Sequence, residues 1–291
     1  MIDLGGKVAL VTGASRGVGA ATAVALAEAG CDVACAARST RDSPQRTPGT
    51  LDETVARVAA TGRRGLALAT NLAVDDEVEA MVDATVAELG RIDVLVNNAA
   101  ITFVGDLDIP LHRYDLVMQV NLRAPIIAIR RAVPVMKDQG AGSIINVSSV
   151  AALYPHPSLM AYGISKVGLE RMTVDVATQL APHSIAVNCF RIDVAVASEG
   201  FIANTPGADH SQWEPSEVAA EGIVWMATRP PEYSGRRESM FALRAREGIM
   251  ASRVAHPATE APPTELFEGV AQNPDTYFEE PYDDATGGHD G

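Results

Sequence analysis

"KVALVTGASRGVG", residues 7–19, decides the fold. Val8 to Val11 form a continuous apolar run of strand type, and from Gly17 the apolar residues take helical spacing as far as a glycine stop at Gly30. Between them Gly13 permits a tight turn, Gly17 lets the backbone approach a phosphate, and Gly19 allows a helix to pack closely on a strand. The helix start then offers free N–H groups to an anion. Glycine-rich turns occur in many α/β chains, so the spacing alone says little. Its place between a strand and a helix makes Gly13, Ser15, Arg16, Gly17, Val18 and Gly19 a candidate dinucleotide-binding turn.

The same alternation continues outward. "DVACAA" (32–37), "GLALAT" (65–70), "IDVLVNN" (92–98), "GSIINVSS" (142–149) and "SIAVNCF" (184–190) read as further buried strands. Helical patterns separate them, among them an acid-led helix ending at Gly90 and a long one over roughly 160–181. Strand, helix and strand in this order predict an α/β fold: a doubly wound parallel sheet of Rossmann type with helices on both faces. Residues 1–254 form the expected single domain. Three stretches break the pattern: a loop at 38–50, a segment of mixed periodicity at 193–215, and a Pro/Gly-rich tail at 255–291. The tail is expected to be largely extended, although Phe267, Tyr277, Phe278 and Tyr282 offer ways to pin it to the body.

Composition narrows the function. The chain of 291 residues is 47% apolar and 5% aromatic, with a formal net charge of −14. Nine acids and no Lys or Arg follow Arg253, which leaves −5 for the rest. Nucleic acid and anionic membrane both require basic patches, so neither is an expected partner. No apolar run reaches the ~18 residues of a membrane span, and the N-terminus has no secretory pattern, which makes the cytoplasm the expected location. Cys31, Cys35 and Cys189 show no metal or disulfide spacing and read as buried apolar residues. The histidines are scattered, and no metal site is assigned.

The remaining motifs concern chemistry. "NNAA" (97–100) ends a strand, where Asn suits a turn and where Asn97 can tie neighbouring strand ends together. Asn121 lies within a helical pattern that does not favour Asn. Ser149 ends another strand. Tyr162 follows thirteen residues later, and Lys166 comes one helical turn after it, on the same face.

In this order the glycine turn, "NNAA", the mid-helix Asn and the Ser, Tyr-x-x-x-Lys set resemble the short-chain dehydrogenase/reductase family over residues 5 to about 230. The resemblance implies an NAD(P)-dependent oxidoreductase that interconverts an alcohol and its carbonyl, working as a homodimer or homotetramer. Tyr162 is its acid/base and Ser149 binds the carbonyl oxygen. Lys166 lowers the Tyr162 pKa and holds the nicotinamide ribose, while Asn121 holds a proton-relaying water. A free phenol titrates near 10, so a neighbouring ammonium, together with the positive nicotinamide of an oxidised cofactor, is expected to favour the phenolate. Asn71, Leu72, Asn98, Ala99 and Val194 complete the implied cofactor contacts. At the end of the second strand Ala37 stands where the family usually has an acid, and Arg38 follows. Together with Arg16 this favours NADP(H) over NAD(H), because guanidinium suits a 2′-phosphate.

The chain also departs from the family. Asn71 replaces a usual Asp, Ala100 a usual Gly, and "FRIDVAV" (190–196) the usual Pro-Gly after the sixth strand, so Arg191, Asp193 and Val194 reshape the loop beyond it. The insertion at 38–50 resembles the hydroxysteroid-dehydrogenase-like branch. Phe103, Tyr154, His156, Phe201 and Trp213 fall on segments that line the site in this fold, pointing to a mostly apolar small-molecule substrate. Two other readings keep the nucleotide turn: a cofactor-sensing binding protein, and a lyase or epimerase on the same scaffold.

Overall fold

A computed structural model describes residues 3–264 except 157 and 206. In chain order the elements begin β1 (Val8–Thr12), α1 (Gly17–Glu28), β2 (Asp32–Ala37), α2 (Leu51–Ala60), β3 (Gly65–Ala69), α3 (Asp75–Leu89) and β4 (Val94–Asn97). They continue α4 (Leu111–Met118), α5 (Ala124–Gln139), β5 (Gly142–Ser149), α6 (Met160–Leu180), β6 (Ile185–Ile192), β7 (Val196–Ala197), α7 (Glu199–Asn204), β8 (Glu214–Pro215), α8 (Ser216–Ala227), β9 (Arg237–Ser239) and α9 (Met240–Glu247).

Seven strands pair in the order β3-β2-β1-β4-β5-β6-β9, all of them parallel. Every residue of β1 and β4 is buried, as expected for strands covered on both faces. Alternate side chains feed two cores. Val11, Val33 and Val96 meet Leu26 of α1, Leu51 of α2 and Ile223 of α8 on one face. Leu10, Leu95 and Ile144 meet Met81 of α3, Ile129 of α5 and Leu180 of α6 on the other. The strand order reverses between β1 and β4, so the crevice for a ligand lies beyond the carboxyl ends of these two strands. The three cysteines are buried free thiols, and burial pushes Cys35 up to about 12. Among the described residues no helix is long and apolar enough to cross a membrane.

The irregular stretches turn out to be tied down. Residues 38–50 carry no helix or strand, but Thr50 caps α2 with a reciprocal bond to Glu53. The segment at 193–215 is a loop whose two ends pair as β7 and β8. The sequence showed only a weak final strand. β9 is correspondingly three residues long and runs straight into α9, whose start is capped by Ser239. Beyond α9 the chain docks on the body: Met250 is 1% exposed, and the Arg253 N–H donates to Glu214 at 2.9 Å. Residues 255–264 have no helix or strand. The proposed aromatic pins Phe267, Tyr277, Phe278 and Tyr282 lie outside the described residues.

Candidate active site

The glycine turn is built around Thr12, a residue the sequence reading passed over. Its hydroxyl accepts from the Asn98 and Ala99 N–H groups, each at 3.1 Å, while the Asn98 amide donates to the Thr12 carbonyl at 2.9 Å. The end of β4 is thereby tied to the turn that opens α1. Gly13 has φ +69, and a Cβ there would stand 2.8 Å from the Ala99 Cα. A Cβ on Gly19 would collide with the Gly13 carbonyl. Both glycines are therefore required by close approach, as the spacing implied. Gly17, at φ +55, is approached instead by the loop after β7: a Cβ on it would lie 3.0 Å from the Ser198 Cβ and 3.3 Å from a Glu199 carboxylate oxygen.

One strand further, Asn97 donates to Asn146 at 2.8 Å, and Asn146 donates to Thr173 at 2.9 Å, a chain of amides across β4, β5 and α6. It performs the strand-tying read for Asn97. Asn71 accepts from the Ala73 N–H at 3.2 Å, a local turn beside the 9% exposed Leu72. Val194, 7% exposed, follows β6.

Asn121 occupies a π-helical turn, Gln119–Arg123, inserted between α4 and α5. Such a turn leaves room in the hydrogen-bond ladder that Asn would otherwise disrupt. Its side-chain oxygen accepts from the Ile101 N–H at 2.8 Å, and its amide donates to the Ile101 carbonyl at 2.8 Å and to Ser165 at 3.1 Å. The side chain thus fastens the "AAI" turn to α6. Its side-chain amide is thereby taken up by protein groups.

Ser149 closes β5 and Tyr162 lies in the first turn of α6, where the serine hydroxyl is near enough to favour the phenolate. The Lys166 ammonium sits 5.5 Å from the centre of the Tyr162 ring and donates to the Val147 carbonyl at 2.8 Å. The structure therefore gathers Ser149, Tyr162, Lys166 and Asn121. The electrostatics differ from the expectation, however. Burial pushes the Tyr162 phenol above its usual value, with Ser149 opposing. Lys166 meets the face of the ring rather than the hydroxyl, so it does not offset the desolvation.

Burial also lowers Lys166 from 10.5 to about 8, with Cys189 and Glu170 opposing. From about pH 8 to about pH 10.5 the unfolded chain holds a proton on this lysine that the folded chain has released. This group therefore makes folding more favourable as pH rises through that window. Relative to a Lys166→Met variant, the melting temperature of the wild type is expected to improve between about pH 7 and about pH 10. Thermal unfolding of both proteins followed by circular dichroism checks this, and a constant difference would refute it.

Around the site, Phe201 stacks on Trp213 with ring centroids 4.7 Å apart, and His210 meets the same indole edge-on at 4.3 Å. Phe103 lies under the Arg113 guanidinium at 5.3 Å, Tyr154 is 49% exposed, and His156 is exposed. Two of the named aromatics thus form one cluster on the segment between β7 and β8. Arg38 is exposed at the end of β2. Arg16 turns away toward the 38–50 loop, where its guanidinium donates to the carbonyls of Thr47, Pro48 and Gly49.

Residues 7–196 match the short chain dehydrogenase family, and the chain belongs to it. It is an oxidoreductase of a family of NAD(P)-dependent dehydrogenases and reductases. The 3-oxoacyl-(acyl-carrier-protein) reductase of Synechocystis sp. is 38% identical over 206 residues, covering 70% of this chain and 77% of that protein. Dehydrogenase/reductase SDR family member 4 of Homo sapiens is 34% identical over 188 residues, covering 64% of this chain and 65% of the human protein. A Xanthomonas campestris structure described as a dehydrogenase superposes with a TM-score of 0.80 at 31% identity, covering 91% of this chain and 100% of that one.

Proposed function

We propose that the protein interconverts a small, mostly apolar secondary or primary alcohol and its carbonyl compound, with NADP(H) favoured over NAD(H) and Tyr162 as the acid/base. The observation that carries this reading is the Tyr162 ring standing over a buried Lys166, with Ser149 beside the phenol at the crevice end of the sheet. A dinucleotide fits the cradle once the Ser198–Glu199 turn moves off Gly17: Gly13 and Gly19 leave no space for a Cβ, and the start of α1, without a side-chain cap, presents N–H groups to a pyrophosphate. When bound, the nicotinamide accepts or supplies the hydride.

The protein's own groups handle the proton. At neutral pH the raised Tyr162 phenol is protonated, which suits donation to a carbonyl oxygen; in the oxidative direction the phenol first gives up its proton to solvent, and the phenolate oxygen then receives that of the alcohol. Ser149 donates a hydrogen bond to the substrate oxygen as charge develops there. Lys166, 2% exposed, brings positive charge beside the ring and a proton source beneath it. Asn121 holds the Ile101 turn and α6 in register, and the relay water implied for it completes the path from Lys166. The Phe201–Trp213 stack supplies the apolar wall of the loop that faces the crevice. Support for NADP(H) comes from Ala37, which leaves no carboxylate at the end of β2, and from the exposed Arg38 that follows.

A fluorescence titration with NADPH and NADH, followed by a panel of alcohols and ketones with the tighter cofactor, tests the proposal. Binding of NADPH in preference to NADH with turnover of an apolar substrate is expected. Tight NADPH binding with no turnover across the panel would leave a cofactor-sensing protein in its place.

A further inference from the structure

Loop 38–50 carries Arg38, Arg41 and Arg46 against one acid, Asp42, in a chain whose net charge is −14. It begins at the end of β2, where the adenosine ribose lies in a fold of this type. The loop is closed at its neck: Ser39, 1% exposed, donates its hydroxyl proton to the Gly49 carbonyl at 2.7 Å, and the Leu51 N–H donates to the Ser39 carbonyl at 2.9 Å.

Arg16 reaches this loop from the glycine turn. With φ −164 and ψ 175 it is extended just before α1, which directs its side chain outward. Its Nε donates to the Pro48 carbonyl at 2.6 Å, and its Nη2 to the Thr47 and Gly49 carbonyls at 2.8 and 3.1 Å. Three successive carbonyls thus converge on one guanidinium. Contact between the two backbones is close as well: Gly49 has φ +102, and a Cβ there would stand 2.5 Å from the Ser15 carbonyl oxygen. A planar fork of fixed N–H directions suits this cradle, whereas an ammonium offers a single point donor.

We propose that Arg16 is a positioning residue for cofactor specificity: it fastens loop 38–50 to the glycine turn, and the arginines of the loop, Arg38 foremost, meet the 2′-phosphate in its stead. The inference rests on the dinucleotide reading above and assigns Arg16 a role apart from direct phosphate contact. Arg38 stands at the root of this loop, one residue before the Ser39 neck that Gly49 closes.

The test uses Arg16→Lys and Arg16→Ala in the full-length protein. Amide hydrogen exchange over residues 45–50 is measured without cofactor, and dissociation constants for NADPH and NADH are measured by fluorescence titration. Both variants are expected to exchange at least about tenfold faster in the loop and to lose about tenfold in NADPH affinity, Lys being no better than Ala. Arg16→Lys still carries the charge and covers the case in which Arg16→Ala fails to fold. Unchanged loop exchange in either variant, or near-wild-type NADPH affinity in Arg16→Lys, would overturn the proposal. Should the wild type bind neither nucleotide, the dinucleotide reading fails by itself, while the exchange measurement still decides whether Arg16 holds the loop.

Discussion

Tyr162→Phe is expected to bind NADPH as tightly as the wild type and to turn over about 10²- to 10⁴-fold more slowly. The substitution removes one oxygen and keeps the ring, so the packing of that ring beside Lys166 at 5.5 Å survives. What disappears is the proton-carrying atom beside Ser149. Ser149 still accepts from the Ala151 N–H at 3.3 Å, so the cost to folding is on the order of 1 kcal/mol. The cofactor cradle is built from Thr12, Gly13, Gly19 and Asn98, none of which touches the phenol oxygen, so affinity for the nucleotide is spared. Steady-state kinetics beside a cofactor titration separate the two effects. Full turnover would remove Tyr162 as the acid/base, and a parallel loss of NADPH binding would mean that the phenol serves the cradle.

Much of this was legible because it is local. The turn at 13–19 announces itself by glycines that the backbone needs, and the strands announce themselves by apolar runs that a sheet covered on both faces requires. Tyr162 and Lys166 lie four apart on one helix, so spacing alone places them together. Contacts between distant segments were not legible. Arg16 reads as a free cation, since nothing local shows that residues 47–49, about thirty positions away, turn their carbonyls toward it. Asn121 reads as a misfit in a helix; only the π-helical turn shows why it is accommodated, and only Ile101 shows how its amide is used. Thr12 gives little warning, because one hydroxyl at a strand end becomes a hub only when β4 is placed beside it. The Tyr162 environment was not legible for a related reason: one turn of helix brings an ammonium near the ring, but the burial that raises the phenol is a property of the assembled core.

The largest stability effect is expected at the buried ion pair that joins β6 to α6. Arg191 on β6 and Glu170 on α6 are 3% and 4% exposed and meet bidentately, Nε to Oε1 at 2.8 Å and Nη2 to Oε2 at 2.6 Å. Removing either partner leaves the other charge buried without compensation, so Glu170→Ala or Arg191→Ala should each cost about 3–5 kcal/mol. Replacing both by well-packed apolar residues, Glu170→Met with Arg191→Leu, should recover most of that loss, because the pair repays little more than its own desolvation. The double variant therefore separates folding from chemistry. Glu170 lies one turn beyond Lys166 and its carboxylate favours the ammonium there. With that charge gone, Lys166 should titrate below its value of about 8, and the alkaline limb of the pH–rate profile should move to lower pH. Chemical denaturation of the single and double variants, read beside pH–rate profiles of the double variant and the wild type, tests both halves. Single variants as stable as the wild type would show that the pair is relieved by solvent. An unmoved alkaline limb in a folded double variant would confine Glu170 to holding β6 against α6.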